Sequence, residues 1–324
     1  MPLSHANTQY FMKNLLTAIL ILSLFGCGHQ AKKTTEPEPV VFTTPAGDRI
    51  VFLEDYYSFY LKAIKTDYKN RNIIYEQEVK DTIFNKYFSK CEYAGLISNK
   101  LSTSIRDTTG LGNYVYEIEY NRAKIEELVT SALNESRKYL KDDSITVYIV
   151  PSNYDIQKTI NGMEGVLSSI AGSKQILITI DPEVNLWKEI LPYNIAREYS
   201  QAYWTKMNFN KAYQSNLLDY IVSEGKADSY AHLIYPTAIA PWTNVFNLDV
   251  ELDMWFKIKS QLKNQDIAFQ DDVMFGSKNE YVYWGGFTLG YHLVQSVLKN
   301  HPDLTPVQWI NLPSEKILEM SDYR

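Results

Sequence analysis

Pro192-Tyr193-Asn194-Ile195-Ala196-Arg197-Glu198-Tyr199-Ser200-Gln201, and after a short gap Leu217-Leu218-Asp219-Tyr220-Ile221-Val222-Ser223-Glu224-Gly225-Lys226-Ala227-Asp228, are the stretches whose reading decides the fold. Each reads as a helix, the first over Leu191 to Lys206 beginning near Pro192, the second over Leu217 to Leu233. Arg197 and Gln201 are four residues apart, as are Glu224 and Asp228, so each pair shares one helical face. Glu198 sits beside the first pair.

Upstream, Ser144 to Pro151 and Gln175 to Asp181 carry the β-branched alternation of strands, with Gly162, Gly165 and Gly172 in the stretch between them. Such a unit ahead of a long helix can lay an edge strand along a cleft, where extended peptide pairs with it, or can be a plain structural edge. Downstream, Val250 to Leu262, Gly285 to Lys299 and Ser314 to Met320 read as helices. From about Ile50 to Tyr139, apolar residues recur at helical spacing, as in Tyr57, Tyr60, Leu61 and Ile64, then Ile125, Leu128, Val129 and Ala132. Thr108 to Asn113 reads as a turn on its glycines. The expected fold class is α+β, mainly helical with a small sheet.

The N-terminal end adds a second signal. Met12-Lys13-Asn14 precedes the apolar run Leu15 to Phe25 and then Gly26-Cys27-Gly28. That run is short for a membrane span and has the charged start and small-residue end of a signal peptide. Leu24-Phe25-Gly26-Cys27 resembles a bacterial lipobox, in which Cys27 becomes the acylated first residue; Met12 then serves as the translation start. An ordinary cleaved signal with an incidental Cys27 is the plainer alternative. Gly28 to Pro45, with Glu36-Pro37-Glu38-Pro39, has the composition of an extended tether. The expected division is 1–27 leader, 28–45 tether, 46–140 helical region and 141–324 the domain carrying the paired helices.

A net charge of −6 and the lack of a Lys/Arg-rich block in the folded part exclude a nucleic-acid footprint. With Cys27 in the leader, Cys91 has no partner for a disulfide, and it reads as a packed apolar residue. The 25 Tyr and 6 Trp include the clusters Tyr56-Tyr57, Tyr203-Trp204 and Tyr281 to Trp284, which serve either a core or a binding groove.

Together with Trp284-Gly285-Gly286-Phe287, Leu289-Gly290-Tyr291 and Ile317 to Tyr323, the paired helices resemble the YjaZ-like predicted zinc-dependent peptidases, a family built on a domain of unknown function. The resemblance covers roughly Ile145 to Tyr323 and implies a zincin-like, specifically gluzincin-like, scaffold. In that family an H-E-Y-x-H helix is followed by an E-G-x-A-[DE] helix, with two His and the downstream Glu on the metal. Carried onto this chain, the ligand positions are Arg197, Gln201 and Glu224, the general-base position is Glu198, and Asp228 matches the carboxylate that orients a ligand His.

A guanidinium has no lone pair for a cation and a Gln amide is a poor zinc ligand, so no zinc or other cofactor is expected. Without a metal-polarised water, Glu198 is a poor activator of peptide hydrolysis. Glu224, Asp228 and His232 share one stripe, but Glu224 and His232 are about 12 Å apart along the helix, too far to share an ion. His292 and His301 read as structural or surface residues. Arg197 in the place of the first His is expected to hold Glu224 and Asp228 by bidentate hydrogen bonds and to replace the missing positive charge.

The expectation is thus an exported lipoprotein of the bacterial envelope, on the cell membrane or the outer membrane. It would be anchored through Cys27, catalytically inactive, and would bind an extended peptide or an envelope protein. Two rivals remain: an active metallopeptidase with an unusual ligand set built on Glu198, Glu224, Asp228 and a distant His, and a glycan-binding surface lipoprotein.

Overall fold

The computed structural model describes residues 37–102, 105–153, 156–210, 215–276 and 280–323. The leader and its Cys27 lie outside the described residues. Glu38–Arg324 form one compact unit.

The chain enters through strand β1 (Val40–Thr43), β2 (Arg49–Phe52) and helix α1 (Glu54–Ile64). Short helical pieces over Arg71–Tyr75, Glu76–Asp81 and Phe84–Phe88 lead to α2 (Ala94–Leu101) and the long α3 (Thr108–Arg137). Then come β3 (Thr146–Pro151), the short helix Gln157–Gly162, β4 (Val166–Gly172) and β5 (Gln175–Ile180). The rest is helical: α4 (Trp187–Asn208), α5 (Leu217–Ile234), α6 (Leu248–Ile258), α7 (Ile267–Phe275), α8 (Gly285–Asn300), α9 (Pro306–Asn311) and α10 (Ser314–Met320). The α+β, mainly helical class follows from this order.

The five strands form one mixed sheet in the order β1-β2-β3-β5-β4. β2, β3 and β5 run parallel, while β1 and β4 are antiparallel to their neighbours and form the two edges. Alternation along β3 distributes the core. Val147 and Ile149 face a cluster with Ile125, Val129 and Leu133 of α3 and Ile195 and Tyr199 of α4. Tyr148 and Val150 face a second cluster with Tyr56, Tyr60, Phe88 and Ile97. Strands with both faces buried carry near-continuous apolar runs, which is why β3 and β5 were plain in the sequence.

Several sequence expectations are corrected here. Val40–Thr43 falls in the stretch expected as tether, yet it pairs with β2; its mostly exposed residues show no apolar alternation, and β2 supplies what holds it. The 46–140 region is not purely helical, because it contributes β2 to the sheet that β3, β4 and β5 complete; the division at 140 separates two sequence patterns, not two bodies. Thr108 to Asn113 is no turn but the first turns of α3. Asp107 caps it, accepting from the backbone N–H groups of Thr109 at 3.0 Å and Gly110 at 2.9 Å. Helix α4 begins at Trp187, not near Pro192, which lies inside it. Burial of Trp187, Ile190 and Leu191 outweighs the single hydrogen bond that Pro192 cannot donate.

Candidate functional site

Helix α4 packs between the sheet and α5 and is buried on nearly every side, so its polar residues need partners inside the protein. Arg197 and Glu198 are buried on α4, and Asp228 is fully buried on α5. Glu224, one turn before Asp228, keeps a side-chain exposure of 15%.

The guanidinium of Arg197 is the centre of the site. Its Nε donates to Asp228 Oδ1 at 3.1 Å, its Nη1 to Glu198 Oε1 at 2.7 Å, and its Nη2 to Glu224 Oε2. The expected bidentate clamp on Glu224 and Asp228 is therefore replaced by a three-way one, each nitrogen serving a different carboxylate. Glu198 is drawn in because it is the next residue on the helix. Gln201 Nε2 lies 3.5 Å from Glu224 Oε1, at the outer limit of a hydrogen bond.

A second layer fixes these groups. Asp228 Oδ1 also accepts from Trp242 Nε1 at 2.9 Å and Tyr193 OH at 3.2 Å, while its buried Oδ2 has no partner among the described residues. Burial pushes the Asp228 carboxyl above its usual range, against the opposing pull of Arg197, Trp242 and Tyr193. Burial also disfavours the Arg197 charge, but Asp228 and Glu198 more than offset it and hold the guanidinium protonated. From the edge strand, Ser168 Oγ lies 2.7 Å from Glu198 Oε1 and 2.9 Å from Asn194 Oδ1. Tyr220, whose hydroxyl is pushed up to about 12 by burial, lies within electrostatic reach of Arg197, and Lys100 of α2 within electrostatic reach of Glu198 and Asp271.

Sequence reasoning placed Arg197, Glu198, Gln201, Glu224 and Asp228 together on two helices, and all five lie within this network. It did not find Ser168, Asn194 or Trp242 as partners. Tyr193 had a signal, one turn before Arg197 on the same face. Trp242 and Ser168 had none, since only chain crossing brings them near. The other histidines lie elsewhere in the described fold: His232 meets the Tyr291 ring edge-on, and His292 Nδ1 sits 2.9 Å from Glu251 Oε1, which also accepts from Tyr323 OH. Tyr56, Tyr57 and Trp284 are core residues. Cys91 is half-buried, and burial pushes its thiol up, away from a reactive thiolate.

Two helices thus bring Arg197, Glu198 and Gln201 against Glu224 and Asp228, beside the edge strand β4. The chain belongs to the family described as Predicted Zn-dependent protease (DUF2268), whose model matches residues 125–319. No curated protein and no solved structure matches the chain.

The residues present do not fit the zinc that the family description implies. The ligand positions offer one carboxylate, one amide and a guanidinium, and that cation already occupies the space between Glu224 and Asp228. Among the described residues no three His, Cys, Asp or Glu side chains are grouped to hold a metal ion.

Proposed function

We propose that this protein is a catalytically inactive member of its family, built on a zincin-like scaffold and acting at the bacterial envelope as a peptide- or protein-binding lipoprotein anchored through Cys27. The single observation that carries this reading is the seat of Arg197 among Glu198, Glu224 and Asp228. A fixed cation among those carboxylates supplies one of the two positive charges that a divalent ion would bring and repels such an ion from the same place. Glu198 then faces an arginine and a serine hydroxyl, and no activated water is generated between them.

The binding half of the proposal rests on β4. It is an edge strand, with no further strand beside it among the described residues, and Ser168 ties it to the network below. Peptide added to such an edge gains main-chain hydrogen bonds, offset in part by the ordering of its own backbone.

The test is the zinc content of purified protein after incubation with excess zinc and dialysis, compared with the Arg197→His/Gln201→His double variant. Metal-free wild type together with about one zinc per chain in the variant supports a scaffold that has lost its ligands. Stoichiometric zinc in the wild type would favour the active metallopeptidase with non-standard ligands and sink the proposal.

A further inference from the structure

At the opposite edge of the sheet, β1 carries backbone groups that the sheet does not use. Arg49 N–H donates to Ile145 O at 3.0 Å and Leu53 N–H to Ile149 O at 2.9 Å, so every second residue of β2 from Arg49 turns its backbone groups towards β3. Ile50 and Phe52 therefore turn theirs towards β1, where they face Phe42 and Val40. Val41 and Thr43 are left with N–H and C=O groups that point away from the sheet, and among the described residues nothing bonds them. Val41 is 41% exposed, and the strand Val40–Thr43 contains no charge and no proline to discourage pairing.

Beside that edge lies a groove of about 490 Å³, lined by Phe42 and by a face of α3 that includes Glu126, Glu127, Thr130 and Asn134. Phe42 shares its face of the sheet with its partner Ile50, which packs on Ile125 and Val129 of α3. The groove is acidic. Glu127 is paired with Lys124 at 2.8 Å, but Glu126 forms no ion pair among the described residues. Burial raises the Glu126 carboxyl, and Arg122, whose charge opposes that rise, is bonded to Glu54 at 2.6 Å. Thr130 Oγ1 is buried with no hydrogen-bond partner among the described residues.

We infer that β1 is a docking edge for an extended segment of another protein, added antiparallel, whose residue opposite Phe42 is an arginine or a lysine seated in the α3 groove. Antiparallel addition joins both backbone groups of Val41 to one residue of the incoming strand and both groups of Thr43 to another. The residue between those two stands opposite Phe42 and on the same face, with its α-carbon about 4.5 Å away, so its side chain enters the groove. A basic side chain there meets Glu126 and donates to Thr130 Oγ1, while its methylene stem lies on the Phe42 ring. An acidic one would face the Glu126 carboxylate. The site lies at the other end of the strand order from β4 and does not depend on the reading of that edge.

The experiment uses the full protein and an N-acetylated heptapeptide, Ser-Thr-Val-Arg-Val-Thr-Ser, with a fluorescent label at its C-terminus, and a second peptide with norleucine in place of arginine. Binding is read by fluorescence polarisation. The arginine peptide is expected to bind about tenfold tighter or more, and Glu126→Gln, with an unchanged melting temperature, to remove most of that preference. On the wild type, methylating the amide nitrogens of both valines, which face Val41 and Thr43, should weaken the arginine peptide by about tenfold or more, whereas methylating those of both threonines, which point away, should leave it unchanged. Equal binding of the two peptides, or a preference that survives Glu126→Gln, overturns the basic residue in the α3 groove. Valine methylation without effect, or threonine methylation with an equal effect, overturns strand addition at β1. No binding of the arginine peptide at millimolar concentration overturns the inference as a whole.

Discussion

Gly225 on α5 and Gly290 on α8 meet backbone to backbone. A β-carbon on Gly225 would lie far inside van der Waals contact distance of Gly290 O, and one on Gly290 would do the same to Ile221 O. The glycine between Glu224 and Lys226 therefore exists for helix packing. The close crossing it permits sets the height at which Glu224 and Asp228 face Arg197.

Gly225→Ala must push α5 and α8 apart, because the obstructing atoms are backbone and cannot rotate away. A loss of about 3 kcal/mol or more is expected in urea denaturation. Gly290→Ala should cost a similar amount. The double variant should lose less than the sum, since one separation accommodates both methyl groups. Strict additivity would show that the two glycines do not share a crossing.

Arg197→Ala leaves three carboxylates without their cation, two of them buried, and is expected to cost about 3–5 kcal/mol at neutral pH. Gln201→Ala, which loses one hydrogen bond at the limit of range, should cost under about 1 kcal/mol. The sign of the pH dependence is also set. With Arg197 gone, Asp228, whose carboxyl burial already raises, loses the cation that opposes that rise, so its folded state binds more protons than its unfolded state and the deficit against wild type shrinks as pH falls from 7 to 5. Equal unfolding midpoints for the two variants would rule out the ion-pair account.

Lys226, buried on α5, donates to Leu312 O and, at 2.9 Å, to Ile310 O at the end of α9. Burial lowers its pKa to about 8. Between that value and the unfolded value near 10.4 the unfolded chain holds the extra proton, so stability rises with pH, by at most about 1.4 kcal/mol per unit. Lys226→Met should flatten the wild-type rise between pH 8 and 10. Parallel profiles for the two proteins would show that Lys226 is charged when folded at all those pH values.

Cys27→Ala should move the protein from the membrane fraction to the soluble fraction of producing cells, with intact-mass analysis losing the mass of the acyl groups. Retention of the variant in membranes with unchanged mass would exclude a lipid anchor at this residue.

Legibility followed local order. The helices carrying Arg197 and Glu224, and strands β3 and β5, are long or strongly patterned, and their periodicity exposed them. β1 and β2 are four residues each and were missed, because a short strand is held by its partners more than by its own pattern. The start of α3 was misread because the two glycines after Thr109 weigh towards a turn, while the Asp107 cap and the burial of Leu111, Tyr114, Val115 and Ile118 outweigh them.

By itself the sequence determined that Arg197, Glu198 and Gln201 share one helix and Glu224 and Asp228 the next, and so which chemistry those side chains can and cannot offer, because identity and helical spacing are properties of the chain alone. Only the tertiary structure decided how Arg197 divides its nitrogens among three carboxylates, that Ser168 and Trp242 complete the network, and that Tyr93 bonds both Ala171 O of β4 and Thr205 of α4. These contacts join residues up to 112 positions apart, as Tyr93 and Thr205 are, and no local pattern encodes a distance closed by packing.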